Sequence, residues 1–224
     1  MWVKELEASS RCDSGPRTVP LADAERARPL IALLEGLSRR DPQLTIHGES
    51  VGGYAASAAI RLGIPPARAE RLRLAGIVHD IGKIVVPTRV LEKRAPLSDA
   101  EWVQIRRHPQ VGFRLIHSTG LHDVAGWILT HHERPDERGY PFGLGAAEIP
   151  IESSIISACD AYHAMRSERP YQRALDHREA RAELIGCAGT QFDPVVAEAL
   201  LAVAEESAPA AAFPVELRAP VPDD

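Results

Sequence analysis

The sequence of 224 residues predicts an all-α protein, and three observations support this prediction. Apolar residues recur every three or four positions, as they do on one face of a helix. Runs of alternating apolar and polar residues, which would indicate strands, do not compete with this pattern. Helix start and stop signals also bracket the apolar runs in the right order. We therefore expect about seven or eight helices joined by short loops.

The first expected helix runs from Ala22 to Arg40 and has leucines at helical spacing, and a second helical stretch follows His47. Later helix starts are indicated by capping-box pairs and prolines, namely Ser98 with Glu101, Asp176 with Glu179, Pro66 and Pro194. Helix ends are indicated by glycines, namely Gly63, Gly120 and Gly186. One longer loop, rich in glycine and proline, is expected from about Arg138 to Pro150.

The domain organisation expected from composition is simple. A chain of this length with 45% hydrophobic residues can bury one substantial core. Residues 1–20 are polar and residues 208–224 are rich in Ala and Pro, and neither segment has a helical apolar period. We therefore expect one helical domain over residues 21–207, with loosely ordered segments on both sides.

Charge and cysteine content exclude several classes of protein. The formal net charge of -5 and a pI near 6.0 argue against a DNA or RNA duplex as partner. Three scattered cysteines, Cys12, Cys159 and Cys187, are too few for a disulfide framework or a zinc ribbon. The chain has no apolar leader at its start and no run near the ~20 apolar residues of a membrane span. These features predict a cytoplasmic protein with no membrane partner.

Polar residues that could bind a metal interrupt an apolar helix at His79 and Asp80, with Lys83 one turn later. Burying an ionised group without a partner costs several kcal/mol, so this placement needs compensation. A metal ion would supply it. The alternative is a core histidine that is hydrogen-bonded to the neighbouring aspartate.

Other histidines and a carboxylate occupy comparable positions. His131 and His132 follow another apolar helix, and adjacent helical residues point about 100° apart, so this pair could address two metals. The alternative for them is a helix end whose dipole favours histidine. Asp160 again lies inside an apolar segment. The full set of candidate ligands is His47, His79, Asp80, His108, His131, His132 and Asp160.

The donor set limits the choice of metal. Imidazole nitrogens and carboxylate oxygens suit Fe, Mn, Zn or Ni better than Ca, and thiols are absent from the set. Donor softness alone does not select among these metals. We expect Fe or Mn, with Zn, Ni and Mg as alternatives.

Four blocks of sequence resemble the HD-GYP family of the HD phosphohydrolase superfamily. They are HDIGK at 79–83, HHERPDERGYP at 131–141, SERPY at 167–171 and GTQFDP at 189–194. The resemblance runs from about Asp41 to Leu201. It implies an all-helical domain whose core helices carry a metal cluster, and hydrolysis of cyclic di-GMP to pGpG, to GMP, or to both.

The resemblance also implies roles for individual residues. One metal would be held by His47, His79, Asp80 and Asp160, and the second by His108, His131 and His132, with Asp80 bridging. A water between the two metals would be the nucleophile. Lys83 would neutralise a phosphate oxygen or donate a proton to the leaving oxygen, and its alternative is a solvated helix end.

Two residues are expected to contact the substrate. Tyr140 resembles a family tyrosine that reaches the substrate, and the alternative is a tyrosine buried in a turn. Arg169 resembles a family arginine that binds phosphate, and the alternative is a salt bridge to a nearby carboxylate. The expected partner is the cyclic dinucleotide itself, with a homodimer or a signalling partner protein left open.

The chain departs from the family pattern at several positions, namely Pro135 for a tryptophan, Glu137 for a glycine, His163 for an acid and Gln172 for a basic residue. Gln43, one turn before His47, replaces a glutamate that helps some members hold a third ion, so we expect two metals. These departures leave two alternatives open. One is an HD-type phosphohydrolase that acts on another nucleotide, and the other is a non-catalytic module that binds a cyclic dinucleotide or a partner.

Overall fold

A computed structural model describes residues 42–168 and 173–207, except for the side chains of residues 42, 43 and 207. Its α-helices are α1 (Pro42–Arg61), α2 (Pro66–Val78), α3 (Thr88–Leu91), α4 (Asp99–Ile105), α5 (His108–His117), α6 (His122–Leu129), α7 (Ile151–Arg166), α8 (His177–Gly186) and α9 (Pro194–Ser207). A 3-10 helix, Ile81–Val85, follows α2. The all-α prediction is confirmed, and within these ranges eight of the nine α-helices have at least seven residues.

The capping-box, proline and glycine signals for helix boundaries are confirmed where the structure describes them, but α1 begins at Pro42 and so contains His47 instead of following it. Both predicted capping boxes form, at the start of α4 and at the start of α8. Gly63 and Gly120 have φ of 77° and 85°, the left-handed conformation that favours glycine after a helix. Gly186 ends α8 as expected, but the left-handed residue there is Gly189, at 81°. The helix expected at 22–40 and the boundaries at 20/21 and 207/208 lie outside the described residues.

The core is built mainly from α1, α2, α6, α7 and α9, which pack against one another. Each helix contributes apolar residues that recur on one face. On α1, for example, Val51, Ala55, Ala58 and Ala59 are completely buried. Such a stripe orients each helix because its burial removes apolar surface from water. None of the helices in the described ranges has the length and apolarity needed to cross a lipid bilayer. The cytoplasmic location stays a prediction.

Glycines allow α1 and α2 to approach until their backbones touch. A Cβ added at Gly76 would lie 2.6 Å from the Gly52 Cα, and one at Gly48 would lie 2.5 Å from the Ile77 carbonyl oxygen. Both distances are shorter than van der Waals contact, so larger side chains would separate the helices. This close packing brings His47 on α1 within 5.2 Å, between ring centroids, of His79 just after α2.

Gly76→Ala is expected to lower the free energy of unfolding by about 1–3 kcal/mol, because the added methyl group overpacks this contact. The matched control is Gly53→Ala on α1, where an added Cβ meets nothing within 4 Å. That control should raise stability by up to about 1 kcal/mol, the helix-propensity difference between Ala and Gly. Denaturant unfolding of both variants measures the difference. Equal effects would contradict the close-packing interpretation.

A second close contact places the 3-10 helix against α5. A Cβ at Gly82 would lie 1.9 Å from the carbonyl oxygen of His108 and 2.7 Å from the Gly112 nitrogen. Only glycine fits there without moving one of the two segments. The contact holds the segment that carries Asp80 and Lys83 beside the start of α5. The glycine of the HDIGK block therefore has a packing role in the site.

Candidate metal centre

All seven predicted ligands lie in the described part of the chain, and the structure brings them to one region. His47 lies on α1, His79 and Asp80 between α2 and the 3-10 helix, and His108 at the start of α5. The remaining ones are His131 and His132 just after α6, and Asp160 on α7. Two groups have ligand atoms within 4.8 Å of one another: His47, His79 and Asp80; and Asp80, His108, His131 and His132.

Asp80 belongs to both groups. Its Oδ1 lies 3.3 Å from the Nε2 of His108, and its Oδ2 lies 3.4 Å from the Nε2 of His79. Lys83 also reaches it, with Nζ 2.5 Å from Oδ2. Each carboxylate oxygen therefore faces a different group of histidines, which is the geometry that a bridging ligand needs.

Backbone carbonyls hold three of the histidines in one tautomer. The Nδ1 atoms of His79, His108 and His131 lie 2.7, 2.8 and 2.6 Å from carbonyl oxygens three residues earlier, those of Gly76, Ile105 and Ile128. A carbonyl can only accept, so each neutral ring carries its hydrogen on Nδ1 and presents the Nε2 lone pair to the cluster. Metal-bound histidines in proteins are typically held in this way.

The atoms that point into the cluster are buried and lack hydrogen-bond partners among the described residues. They are the Nε2 atoms of His79, His108 and His131 and the Oδ1 of Asp80. A buried polar atom without a partner costs about 1–3 kcal/mol. Four such atoms that converge on one place form a donor set suited to an electrophile. The residues therefore fit a metal ion better than they fit a set of satisfied core side chains.

The electrostatics also suit a cation. Burial lowers the pKa of His131 well below its ordinary value and that of His132 to about 3, so both rings are neutral. Burial opposes a charge on His79, but the Asp80 and Asp160 carboxylates and the Gly76 carbonyl together raise the pKa of His79 to about 9. For Asp80, burial opposes ionisation, yet Lys83 and His79 hold its pKa well below the usual range. An anionic carboxylate thus lies beside the neutral imidazoles of His131 and His132.

Asp160 lies on the His47 side of the cluster. Its Oδ1 is 3.1 Å from the Nε2 of His47 and 3.9 Å from that of His79. Burial opposes its ionisation, but the contact with His47 and the charge of His79 hold its pKa below the ordinary value. The Nδ1 of His47 lies 2.8 Å from the Nδ1 of His163, a position at which the chain departs from the family pattern.

The long loop predicted around 138–150 presents Tyr140 beside the histidines. The Tyr140 ring stacks on the His132 ring, with centroids 4.7 Å apart and planes at 25°. The backbone N–H of Tyr140 donates to the His132 carbonyl at 3.1 Å. Arg106 lies above the Tyr140 ring, with its guanidinium carbon 5.4 Å from the centroid. The ring is half-buried, so it is exposed enough to reach a ligand.

Glu133 organises this loop, a role that the sequence did not reveal. Its buried carboxylate accepts the backbone N–H of Phe142 at 2.6 Å and that of Leu144 at 2.9 Å. Gly139 passes so close that an added Cβ would lie 2.4 Å from the Glu133 Cα. The one available signal was an acid directly after two histidines, but its partners lie nine and eleven residues away.

The loop also explains two other parts of the family motifs. Glu137 has φ of 62°, a left-handed conformation in which a side chain costs about 1 kcal/mol and which glycine adopts freely. The Asp136 N–H donates to the Thr190 carbonyl at 3.1 Å, so the GTQFDP block holds the loop in place.

The predicted substrate residue Arg169 and the departure Gln172 lie outside the described residues, as does the side chain of Gln43.

The fold and the site together define an all-α domain. Its helix ends bring buried histidines and aspartates together in two groups that could hold metal ions. The family model described as HD domain matches residues 32–196. The chain therefore belongs to the HD domain family, and the resemblance to its HD-GYP members is confirmed.

Known proteins similar to this chain include a protein of Thermotoga maritima named cyclic di-GMP phosphodiesterase. The two are 36% identical over 181 residues, which are 79% of this chain and 49% of that protein. The 3'3'-cGAMP-specific phosphodiesterase 2 of Vibrio cholerae is 29% identical over 194 residues, 85% of this chain and 36% of the relative. The solved structure of Bd1817, a HDG"Y"P protein from Bdellovibrio bacteriovorus, superposes with a TM-score of 0.62 at 14% identity. That match covers 91% of this chain and 78% of Bd1817. The chain spans about half the length, or less, of these curated relatives.

Proposed function

We propose that this chain is a metal-dependent phosphodiesterase that hydrolyses cyclic di-GMP to pGpG, to GMP, or to both. The observation that carries the proposal is the shared Asp80, which joins two groups of metal-ligand atoms in a buried site. Two adjacent cations are suited to displacement at phosphorus, because together they stabilise the attacking and the leaving oxygen. The name of the relative from Thermotoga maritima supports the same reaction.

The proposed cofactors are two divalent metal ions, with Fe or Mn preferred and Zn, Ni and Mg as alternatives. One would be held by His47, His79, Asp80 and Asp160, and the other by Asp80, His108, His131 and His132. Bound there, the ions would supply Lewis acidity and a water of lowered pKa as nucleophile. The mixed nitrogen and oxygen donor set supports this choice of metals. The count of two rests on the neutral Gln43 in place of a glutamate.

Lys83 is the proposed source of positive charge for the reacting phosphate. Its ammonium contacts Asp80 at 2.5 Å, and a quarter of the side chain is exposed, so it lies between the cluster and the solvent side. From there it can neutralise a phosphate oxygen or donate a proton to the leaving ribose oxygen. Lys83 has no role in holding a metal in this proposal.

Substrate recognition is assigned to the rim of the cluster. Tyr140 offers a half-buried ring beside His132, and Arg169 stays a prediction from the sequence. We add Arg106 to the proposed substrate-binding residues. Its exposed guanidinium lies over the rings of both Tyr140 and Trp102, with the guanidinium carbon 5.4 and 5.7 Å from the ring centroids. A guanidinium held in this way, next to the site, matches the negative phosphates of a dinucleotide.

Arg106→Ala is expected to raise the KM for cyclic di-GMP about tenfold while changing kcat little. A charge-assisted hydrogen bond contributes about 1.5 kcal/mol, which corresponds to roughly that factor. Steady-state kinetics of the purified variant measure the change. Arg107→Ala, at the neighbouring exposed position, removes the same charge and should leave the KM near the wild-type value. An equal rise in KM for both variants would mean that Arg106 acts only through its charge and does not contact the substrate.

A second candidate substrate is 3'3'-cGAMP, favoured by the name of the relative from Vibrio cholerae and by the departures at Glu137, His163 and Gln172. The two cyclic dinucleotides share the phosphodiester chemistry and differ in one base. The activity, the substrate, the cytoplasmic location, and any homodimer or signalling partner belong to the proposal, because the chain spans about half the length of these relatives or less.

The test is metal analysis of protein purified without oxygen, followed by chromatography of the products formed from each dinucleotide. We expect about two metal ions per chain and release of pGpG or GMP from cyclic di-GMP. Faster turnover of 3'3'-cGAMP would select the second candidate. Binding of either dinucleotide without hydrolysis by the metal-loaded protein would instead indicate a non-catalytic module.

A further inference from the structure

One histidine of the cluster is held differently from the three whose Nδ1 faces a carbonyl. The Nδ1 of His47 on α1 lies 2.8 Å from the Nδ1 of His163 on α7. The two rings have centroids 4.8 Å apart and are tilted by 54°. His163 stands where the family pattern has an acid. A carbonyl or a carboxylate can only accept a hydrogen bond, whereas a neutral imidazole nitrogen can donate or accept.

If both rings are neutral, one hydrogen lies between the two Nδ1 atoms, and the ring that carries it decides what His47 can bind. If His47 carries the hydrogen on Nδ1, His163 accepts it, and the Nε2 of His47 presents a lone pair to the cluster. If His163 donates instead, the hydrogen of His47 is on Nε2, which then donates to the Oδ1 of Asp160 at 3.1 Å. In the second arrangement His47 cannot ligate a metal, because its Nε2 lone pair is replaced by a hydrogen.

We infer that His163 is a positioning residue that selects the metal-binding tautomer of His47. The inference rests on the proposed function, since it assumes that His47 is a ligand. His163 acts on one side of the cluster only, because His108, His131 and His132 belong to the other group. Ser167 supports this position, with its Oγ donating to the His163 carbonyl at 2.7 Å.

The two sides of the cluster differ in their dependence on residue 163. The rings of His79, His108 and His131 are held by carbonyl acceptors, whereas His47 depends on a partner that can donate or accept. The metal affinity on the His47 side therefore depends on residue 163, and the metal affinity on the His108 side does not. An acceptor-only side chain at position 163 should strengthen binding on the His47 side.

The test is titration of the metal-free full chain with Mn²⁺, followed by calorimetry and by electron paramagnetic resonance. His163→Ala should weaken one of two Mn²⁺ affinities by about 10- to 100-fold, the usual cost of losing the partner of a metal-bound histidine, and leave the other unchanged. His163→Asp should restore that affinity to the wild-type value or above it. The control is His122→Ala, which removes an exposed histidine outside the cluster and should change neither affinity.

Several results would overturn the inference. One is that His163→Ala leaves both Mn²⁺ affinities unchanged, and another is that it lowers both equally. A third is that His163→Asp does not restore the lost affinity. Thermal unfolding must show in each case that the variant is folded. In each of these cases a wild-type protein that binds two Mn²⁺ ions would leave the proposed metal centre standing. A wild-type protein that binds no Mn²⁺, Fe²⁺ or Zn²⁺ would refute the metal centre itself, and this inference with it.

Discussion

Asp80→Ala is expected to lower hydrolysis of the cyclic dinucleotide by at least about 1000-fold and to reduce bound metal. Asp80 lies between the two groups of histidines, so its loss removes a ligand from both proposed sites. Charge stabilisation by metal ions contributes several kcal/mol, and a loss of about 4 kcal/mol corresponds to this factor. Turnover under saturating metal and elemental analysis of the same preparation measure the two effects. His79→Ala should behave similarly but affect one metal site.

Two comparisons separate this effect from unfolding. Asp80→Asn keeps the size of the side chain and removes its charge, so it should lose activity with a smaller effect on stability. Asp123→Ala removes a carboxylate that pairs with Arg71 at the surface, and it should keep both metal content and turnover. Wild-type turnover in Asp80→Ala or His79→Ala would refute the assignment of the cluster as the active site.

Lys83→Ala is expected to lower kcat by about 100- to 1000-fold while both metals stay bound. The proposed role of its ammonium is to stabilise charge in the transition state, and removal of one such donor from an active site has an effect of this size. KM should change little, because the interaction strengthens only as the leaving oxygen gains charge. Steady-state kinetics together with metal analysis of the same sample distinguish this outcome from loss of a ligand.

A lysine elsewhere provides the matched control. Lys93 forms an ion pair with Glu101 at 2.6 Å, and Lys93→Ala should leave kcat unchanged. Loss of metal in Lys83→Ala would mean that the contact with Asp80 mainly holds the carboxylate in place. Unchanged kcat with full metal content would make Lys83 a solvated helix end.

Most of the helical framework follows from sequence, because the signals are local. The capping boxes at Ser98 and Asp176 formed where the spacing predicted them, since each joins residues within one turn. Apolar residues at helical spacing identified the buried faces for the same reason. The left-handed conformation of Gly189 does not follow from these local signals, because a helix can end with Gly186 and reach a left-handed residue three positions later.

The candidate ligands could also be found from sequence. Histidines and aspartates at the ends of apolar helices, such as His79 with Asp80, are unusual enough to indicate a metal site. The motif resemblance then separated the seven residues into two sets. The structure brings these residues together, and ligation itself stays a proposal.

The sequence by itself determined the fold class, several helix boundaries within the described ranges and the identity of the candidate ligands, because each is encoded over a few neighbouring residues. Only the tertiary structure decided which atoms meet. The contact between His47 and His163 joins residues 116 positions apart, and the placement of Arg106 over Tyr140 depends on how a loop packs beside α4. Periodicity shows which face of a helix is buried but not how far one helix is shifted along another. That shift is fixed by close packing, as at Gly52 and Gly76, and it sets the distances on which the chemistry depends.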